Sequence, residues 1–189
     1  MTPTALLSFL HVAEKLKSRT RHNWNTDGRQ ESVADHSWRL ALLAELLRPE
    51  FPNVDMDRVV TMCLFHDLGE AITGDIPTFE KTKADEKIEE AEIFSLLRTL
   101  PEPECSRFSA LFREMLAMET TEARLCKALD RFEAVIAHNE APIESWLPLE
   151  YDLNRTYAFE DAKLSPCLMA LRQEILRETE EKITAHTAE

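Results

Sequence analysis

His66 and Asp67 stand side by side in the run Cys63-Leu64-Phe65-His66-Asp67-Leu68-Gly69-Glu70-Ala71-Ile72-Thr73-Gly74-Asp75. The stretch is apolar enough to be buried, yet it holds an imidazole and three carboxylates. An ionised carboxylate buried without a partner is costly, so buried charges pair with one another or bind a metal. If the run is helical, His66 and Glu70 share a face and Asp67 lies about 100° round from both. Ile76-Pro77 follows, and proline pushes the residue before it out of helix. Asp75 is therefore expected in the helix-terminating loop, beside the His66-Asp67 pair. Gly69 falls within the run, where glycine costs about 1 kcal/mol relative to alanine, so its missing side chain is expected to make room for something. The plainer reading is a partly exposed polar helix end with a glycine cap. Partners elsewhere in the chain must decide between the two.

Two such partners stand out. His36 lies on the apolar face formed by Val33, Leu40, Leu43, Ala44 and Leu47, near the start of a helix that Ser32 can cap with Asp35 in its first turn. A lone histidine there is ordinarily a hydrogen-bonded core residue; a second histidine beside an aspartate on a following helix changes the odds. Asp130 follows the stripe Leu125, Ala128, Leu129, Phe132, Val135 and Ile136 of a helix over 122–139. It reads either as a surface carboxylate paired with Lys127 or Arg131, or as a fourth member of a cluster. His36, His66, Asp67 and Asp130 together make a mixed nitrogen and oxygen set from three helices. Such a set suits one divalent ion, Mn²⁺, Co²⁺, Fe²⁺, Ni²⁺, Zn²⁺ or Mg²⁺, and does not indicate thiolate-bound zinc.

The elements that must carry these residues are helical. The chain has 189 residues, 44% of them hydrophobic, with only three glycines and nine prolines. This points to an all-α fold in one domain spanning 1–189. A first amphipathic helix over 4–17 carries Leu6, Leu7, Leu10, Ala13 and Leu16. Residues 18–31 lose that period and form a polar loop with Arg19, Arg21 and Arg29, either a solvated connector or a cover over an anionic pocket. Asp55 can cap a helix running into the central stretch. Ile88, Ala91, Phe94, Leu97 and Leu100 mark another helix, and Phe108, Leu111, Phe112, Met115 and Leu116 the next. The last helix, from Pro166, carries Leu168, Leu171, Ile175 and Leu176, and is expected to cover the core or a partner subunit. A net charge of -13 repels phosphate backbones and argues against non-specific nucleic-acid binding. No apolar run is long enough for a membrane span, and Met1 to Leu10 lacks the pattern of a signal peptide. Cys63, Cys105, Cys126 and Cys167 show no C-x-x-C spacing, so free, mostly buried thiols in a reducing cytoplasm are expected.

The order His36, His66-Asp67, Asp130, with Glu70 and Gly74-Asp75-Ile76-Pro77-Thr78, resembles the HD-domain phosphohydrolases, more narrowly their 5'-deoxynucleotidase branch. The likeness spans about residues 5 to 180. It implies a bundle of about seven or eight helices, a cytoplasmic homodimer, and hydrolysis of nucleoside 5'-monophosphates, ribo or deoxy, by metal-activated water. Carried over position by position, His36, His66, Asp67 and Asp130 match the family's metal ligands. Glu70 matches the carboxylate that engages the attacking water, and Asp75 the acidic residue on the leaving-group side. Arg21 falls on a phosphate-contacting arginine, with His22 beside it where the family's selective member has a tryptophan; Thr78 to Lys81 fall on the substrate loop. No histidine occurs between His66 and His138, which favours one metal over two. The alternatives are a hydrolase of another small phosphorylated metabolite or nucleotide, or a non-catalytic metal- or ligand-binding module.

Overall fold

The computed structural model describes residues 1–187 and is built from helices, as the composition implies. In chain order these are α1 (Pro3–Ala13), α2 (Val33–Leu46), α3 (Met56–Phe65), α4 (Glu70–Thr73), α5 (Lys83–Leu97), α6 (Glu104–Ala117), α7 (Thr121–Glu140), α8 (Glu150–Thr156), α9 (Phe159–Ala162) and α10 (Pro166–Thr187). Two of these, α4 and α9, are single turns of four residues, which leaves eight longer helices among the described residues. The helix starts follow local chemistry. Ser32 and Asp35 form a reciprocal capping box at α2, Thr82 and Asp85 do the same at α5, and the Asp55 side chain accepts the Arg58 N–H at α3.

The 20-residue α7 is the axis of the molecule, about 30 Å long at 1.5 Å per residue. Leu125, Ala128, Leu129, Phe132 and Val135 on α7 pack with Leu40 and Ala44 of α2, Met62 and Cys63 of α3, and Leu168 and Ile175 of α10. A second core joins Phe9, Leu16, Val33, Leu68, Ala71, Ile93, Leu97 and Phe112. Three expectations need correction here. Of the expected first stripe, Ala13 and Leu16 join the core, but Leu6, Leu7 and Leu10 are exposed and Phe9 is the buried residue of α1, which packs on α4. Residues 18–31 are not an irregular loop: Thr20–Trp24 (β1) pairs antiparallel with Gln30–Ser32 (β2), a ribbon lying against α7. The polar pattern hid it, since its apolar positions are few. Finally, α3 stops at Phe65. The bonds Leu68 N–H to Phe65 O, Glu70 N–H to Asp67 O and Ala71 N–H to Leu68 O tighten the backbone into three-residue turns before α4 resumes.

Cys63 and Cys126 are buried free thiols as expected, whereas Cys105 and Cys167 are half-buried. No helix among the described residues is long and apolar enough to cross a membrane.

Gly69 makes room for another helix. A Cβ there would sit 3.0 Å from Glu89 Cγ, 3.3 Å from the Glu89 carbonyl oxygen and 3.7 Å from Ile93 Cβ, all on α5. Its backbone is ordinary right-handed helix, so the constraint is steric. Gly69→Ala is expected to destabilise the fold by about 1–3 kcal/mol, the usual cost of overpacking, read as a lowered urea midpoint. A neutral or stabilising effect would show that α5 does not press on this turn.

Candidate active site

His36 comes from the first turns of α2, His66 and Asp67 from the tight turn after α3, and Asp130 from the middle of α7. The four side chains converge. His36 Nε2 lies 3.2 Å from His66 Nε2 and 3.2 Å from Asp130 Oδ1; His66 Nε2 lies 3.0 Å from Asp67 Oδ2 and 3.6 Å from Asp130 Oδ1. Asp67 Oδ2 is 3.8 Å from His36 Nε2, so each imidazole faces both carboxylates.

The outer nitrogens explain why this cluster suits a cation. His66 Nδ1 lies 2.8 Å from the Cys63 carbonyl oxygen, which can only accept, so Nδ1 carries the proton. His36 Nδ1 donates to the buried carboxylate of Glu133, whose other oxygen takes Arg39 Nε at 2.6 Å. With both rings neutral, both Nε2 atoms point lone pairs at one space, and two lone pairs 3.2 Å apart cannot bond each other. Something positive must lie between them, and two imidazoles with two carboxylates are a fitting set for a divalent ion. Glu133 was missed in the sequence. Its signal was the i, i+3 spacing from Asp130 on a stripe already assigned to the core.

Without a divalent ion, protons take its place. Burial opposes charge on His36 and His66, yet Glu133, Asp67 and Asp130 hold both imidazoles above their usual range. Burial likewise opposes Asp67 and Asp130, but His66 and Lys127 respectively, together with His36, keep both carboxyls well below theirs. Lys127 Nζ lies 2.8 Å from Asp130 Oδ2, so the pairing considered from the sequence occurs alongside the cluster rather than in place of it.

Asp67 also belongs to a second group. Its carboxylate, that of Glu70 on α4 and that of Glu89 on α5 offer oxygens within 4.8 Å of one another. Glu70 is 3% exposed and its Oε2 has no hydrogen-bond partner among the described residues. Burial first, then the negative Asp67, Asp75 and Glu89, push Glu70 up to about 10. Asp75 follows Gly74, whose φ of 80° ends α4 in a conformation only glycine adopts readily. Burial also raises Asp75.

Arg21, His22, Thr78 and Lys81 line one cleft of about 310 Å³ with Asp67, Glu70, Asp75 and Asp130. Arg21 Nη1 reaches to 3.5 Å from Asp67 Oδ2, and its Nε to 3.3 Å from the buried Glu31. Burial works against this guanidinium, but Asp67, Glu133, Asp75 and Glu31 outweigh it and raise its pKa. Lys81 is ion-paired to Glu89, and His22 packs edge-on against Trp24 and Phe79.

Linkage gives the sign of the pH response. Raised imidazoles stabilise fully below their unfolded value of about 6.5, and that stability is lost as pH rises through their folded values. The raised Glu70 acts in the same direction, because its folded state holds a proton that the unfolded chain releases. The depressed Asp67 and Asp130 contribute above the ordinary carboxylate range and lose their effect only in strong acid. Chelator-treated protein should therefore lose melting temperature as pH rises from about 6.5 to about 10, where Glu70 ionises, and added Mn²⁺ should restore more of it at the higher pH. A flat profile in differential scanning calorimetry would show that these groups do not hold protons in place of a cation.

A model of the HD domain family matches residues 13–172. The human 5'-deoxynucleotidase HDDC2 is 29% identical over 193 residues, covering 98% of this chain and 91% of that protein. The Dictyostelium discoideum 5'-deoxynucleotidase HDDC2 is 31% identical over 140 residues, 69% of this chain and 74% of that one. Among solved structures, a protein from Magnetospirillum magnetotacticum MS-1 described as a predicted metal-dependent phosphohydrolase superposes with a TM-score of 0.79. It is 29% identical, and the match covers 95% of this chain and 93% of that one. With the match running from α1 into α10 and enclosing the histidine-aspartate pair, the chain belongs to the HD domain family, in the branch whose curated members are named 5'-deoxynucleotidases.

Proposed function

We infer that this protein is a metal-dependent phosphohydrolase that cleaves nucleoside 5'-monophosphates to nucleoside and phosphate. The observation that carries this reading is the convergence of the His36 and His66 Nε2 atoms with Asp67 and Asp130, two carboxylates that also line the cleft shared by Glu70, Asp75 and Arg21. The names of the relatives support the substrate class.

In this proposal His36, His66, Asp67 and Asp130 hold one divalent ion. Such an ion would supply Lewis acidity to shield phosphate charge and acidify water, and its charge would oppose the burial and negative neighbours that raise Glu70. Arg21 offers its planar fork to the phosphate oxygens. Water attacks phosphorus, Glu70 takes the water's proton, and the bond from phosphorus to the sugar 5'-oxygen breaks. Asp75, whose pKa burial raises, gives a proton to that departing oxygen. No phospho-enzyme forms. Thr78 and Lys81 border the substrate on the loop after α4, and Lys81 also neutralises Glu89.

A single domain over 1–189, a cytoplasmic setting and a homodimer belong to the same proposal. The last helix turns Leu168 and Ile175 into the core. The apolar surface a second copy would cover is better represented by Trp38, Leu42 and Leu46 on α2, which are 64%, 42% and 69% exposed.

Phosphate release from a panel of 5'- and 3'-monophosphates should appear with Mn²⁺ or Co²⁺ on the 5' series and vanish on chelation. Glu70→Gln should lower kcat by roughly 10²- to 10⁴-fold at unchanged metal content. Silence across the panel with metal still bound would favour a ligand-binding module instead.

A further inference from the structure

The proposed chemistry uses one end of the cleft, and the opposite end holds a carboxylate it leaves unemployed. On α7 the residues facing the cleft include Asp130, Ala134 and His138, at i, i+4 and i+8, so this wall is about 12 Å long at 1.5 Å per residue. Ala134, with only a methyl group, leaves the middle of the wall open. At the far end stands Glu150, the first residue of α8 and 4% exposed.

Glu150 is held from behind by a chain of polar contacts. Its Oε2 accepts the Leu147 N–H at 2.6 Å and lies 3.3 Å from His138 Nε2. His138 Nδ1 accepts from Asn154 Nδ2 at 2.7 Å, which places the imidazole proton on Nε2, facing Glu150. The ring also stacks on Trp146 with centroids 4.4 Å apart. Arg172 on α10 donates to the Asn154 carbonyl oxygen at 2.5 Å and fixes the start of the chain. The other oxygen, Oε1, accepts no hydrogen bond among the described residues. Its neighbour is His22 Nε2 at 3.4 Å, a buried atom that likewise makes no hydrogen bond.

We propose that Glu150 recognises the sugar, its Oε1 accepting a hydrogen bond from a ring hydroxyl of the pentose whose 5'-phosphate lies at Arg21. This rests on the phosphohydrolase reading above. His22 follows Arg21 directly on β1, so the chain addresses the phosphate with one residue and the group attached to it with the next. The wall from Asp130 to His138 spans a phosphate and one sugar ring, and a base edge would lie beyond its end. An ionised carboxylate only accepts hydrogen bonds, and a sugar hydroxyl is a donor that suits it. Burial opposes that ionisation, but the His138 hydrogen bond and the Leu147 N–H hold the Glu150 carboxyl below its usual range. A polar atom presented to the cleft and left unmatched rejects a substrate that cannot pair with it.

The test compares kcat/KM for four 5'-monophosphates of one base, carrying ribose, 2'-deoxyribose, 3'-deoxyribose or 2',3'-dideoxyribose. Wild-type protein should turn over the dideoxy compound roughly 10- to 100-fold less well than the best hydroxyl-bearing one, the range of a hydrogen bond to a charged group. The two singly deoxygenated compounds identify which hydroxyl is read. In Glu150→Ala the hydroxyl-bearing substrate should fall to the dideoxy level while the dideoxy compound keeps its wild-type rate. Equal wild-type rates on all four would overturn the proposal and leave the phosphohydrolase reading intact. So would a uniform loss across all four substrates in a Glu150→Ala protein whose melting temperature matches wild type. Where Ala unfolds the α8 start, Glu150→Gln is read instead, and unchanged hydroxyl discrimination on loss of the carboxylate charge would likewise overturn it. Turnover of no nucleotide at all would remove both. The wild-type comparison stands even where the variant folds poorly.

Discussion

Two imidazoles aimed at each other across 3.2 Å, each with its outer nitrogen already committed to an acceptor, set the terms for everything around them. Neutral rings in that arrangement repel, and charged ones repel more. The arrangement persists only with negative groups alongside and positive charge between. Asp67 and Asp130 supply the first requirement. The second is met by protons or by a cation, and the two compete for the same four atoms. Under the proposed function, metal occupancy, protonation and fold stability are therefore one coupled equilibrium.

The scaffold fixes that geometry with rigid parts. α2 and α7 pack side by side, and Glu133 ties His36 to α7 through a carboxylate that Arg39 also grips. His66 is anchored to its own helix end by the Cys63 carbonyl oxygen. Second contacts of this kind orient ligating imidazoles and fix their tautomers. Asp67 has the more exposed task, because it faces the imidazoles on one side and Glu70 on the other. Charge gathered at the first group is felt at the second, which is how a deeply buried Glu70 can be brought to ionise.

Much of this was legible in the residues. A histidine on an apolar face, a histidine-aspartate pair in a buried run, and an aspartate beside a core stripe were visible as misfits, and the structure brings these four together. The capping boxes and the stripe of α7 follow from spacing alone. What escaped was what depends on partners distant in sequence. Glu133 looks like an ordinary helix glutamate until His36 and Arg39 arrive from nearly a hundred residues earlier. Gly69 announced a close approach but not that α5 makes it. The ribbon of β1 and β2 has too few apolar positions to show a strand period, and the α1 leucines give the right helix but the wrong face.

That ribbon separates two kinds of work. The four clustered side chains ride on helices and the turns between them, locked into the main core. Arg21 and His22 ride instead on a two-stranded ribbon with an irregular register, of a kind only marginally stable by itself. Its tip, between Trp24 and Gln30, can be lengthened or a side chain there exchanged without repacking the core residues Phe132 and Leu129. Under the proposed function, substrate preference can therefore diversify on the ribbon, whereas any change in how an ion would be held must be negotiated with the whole interior.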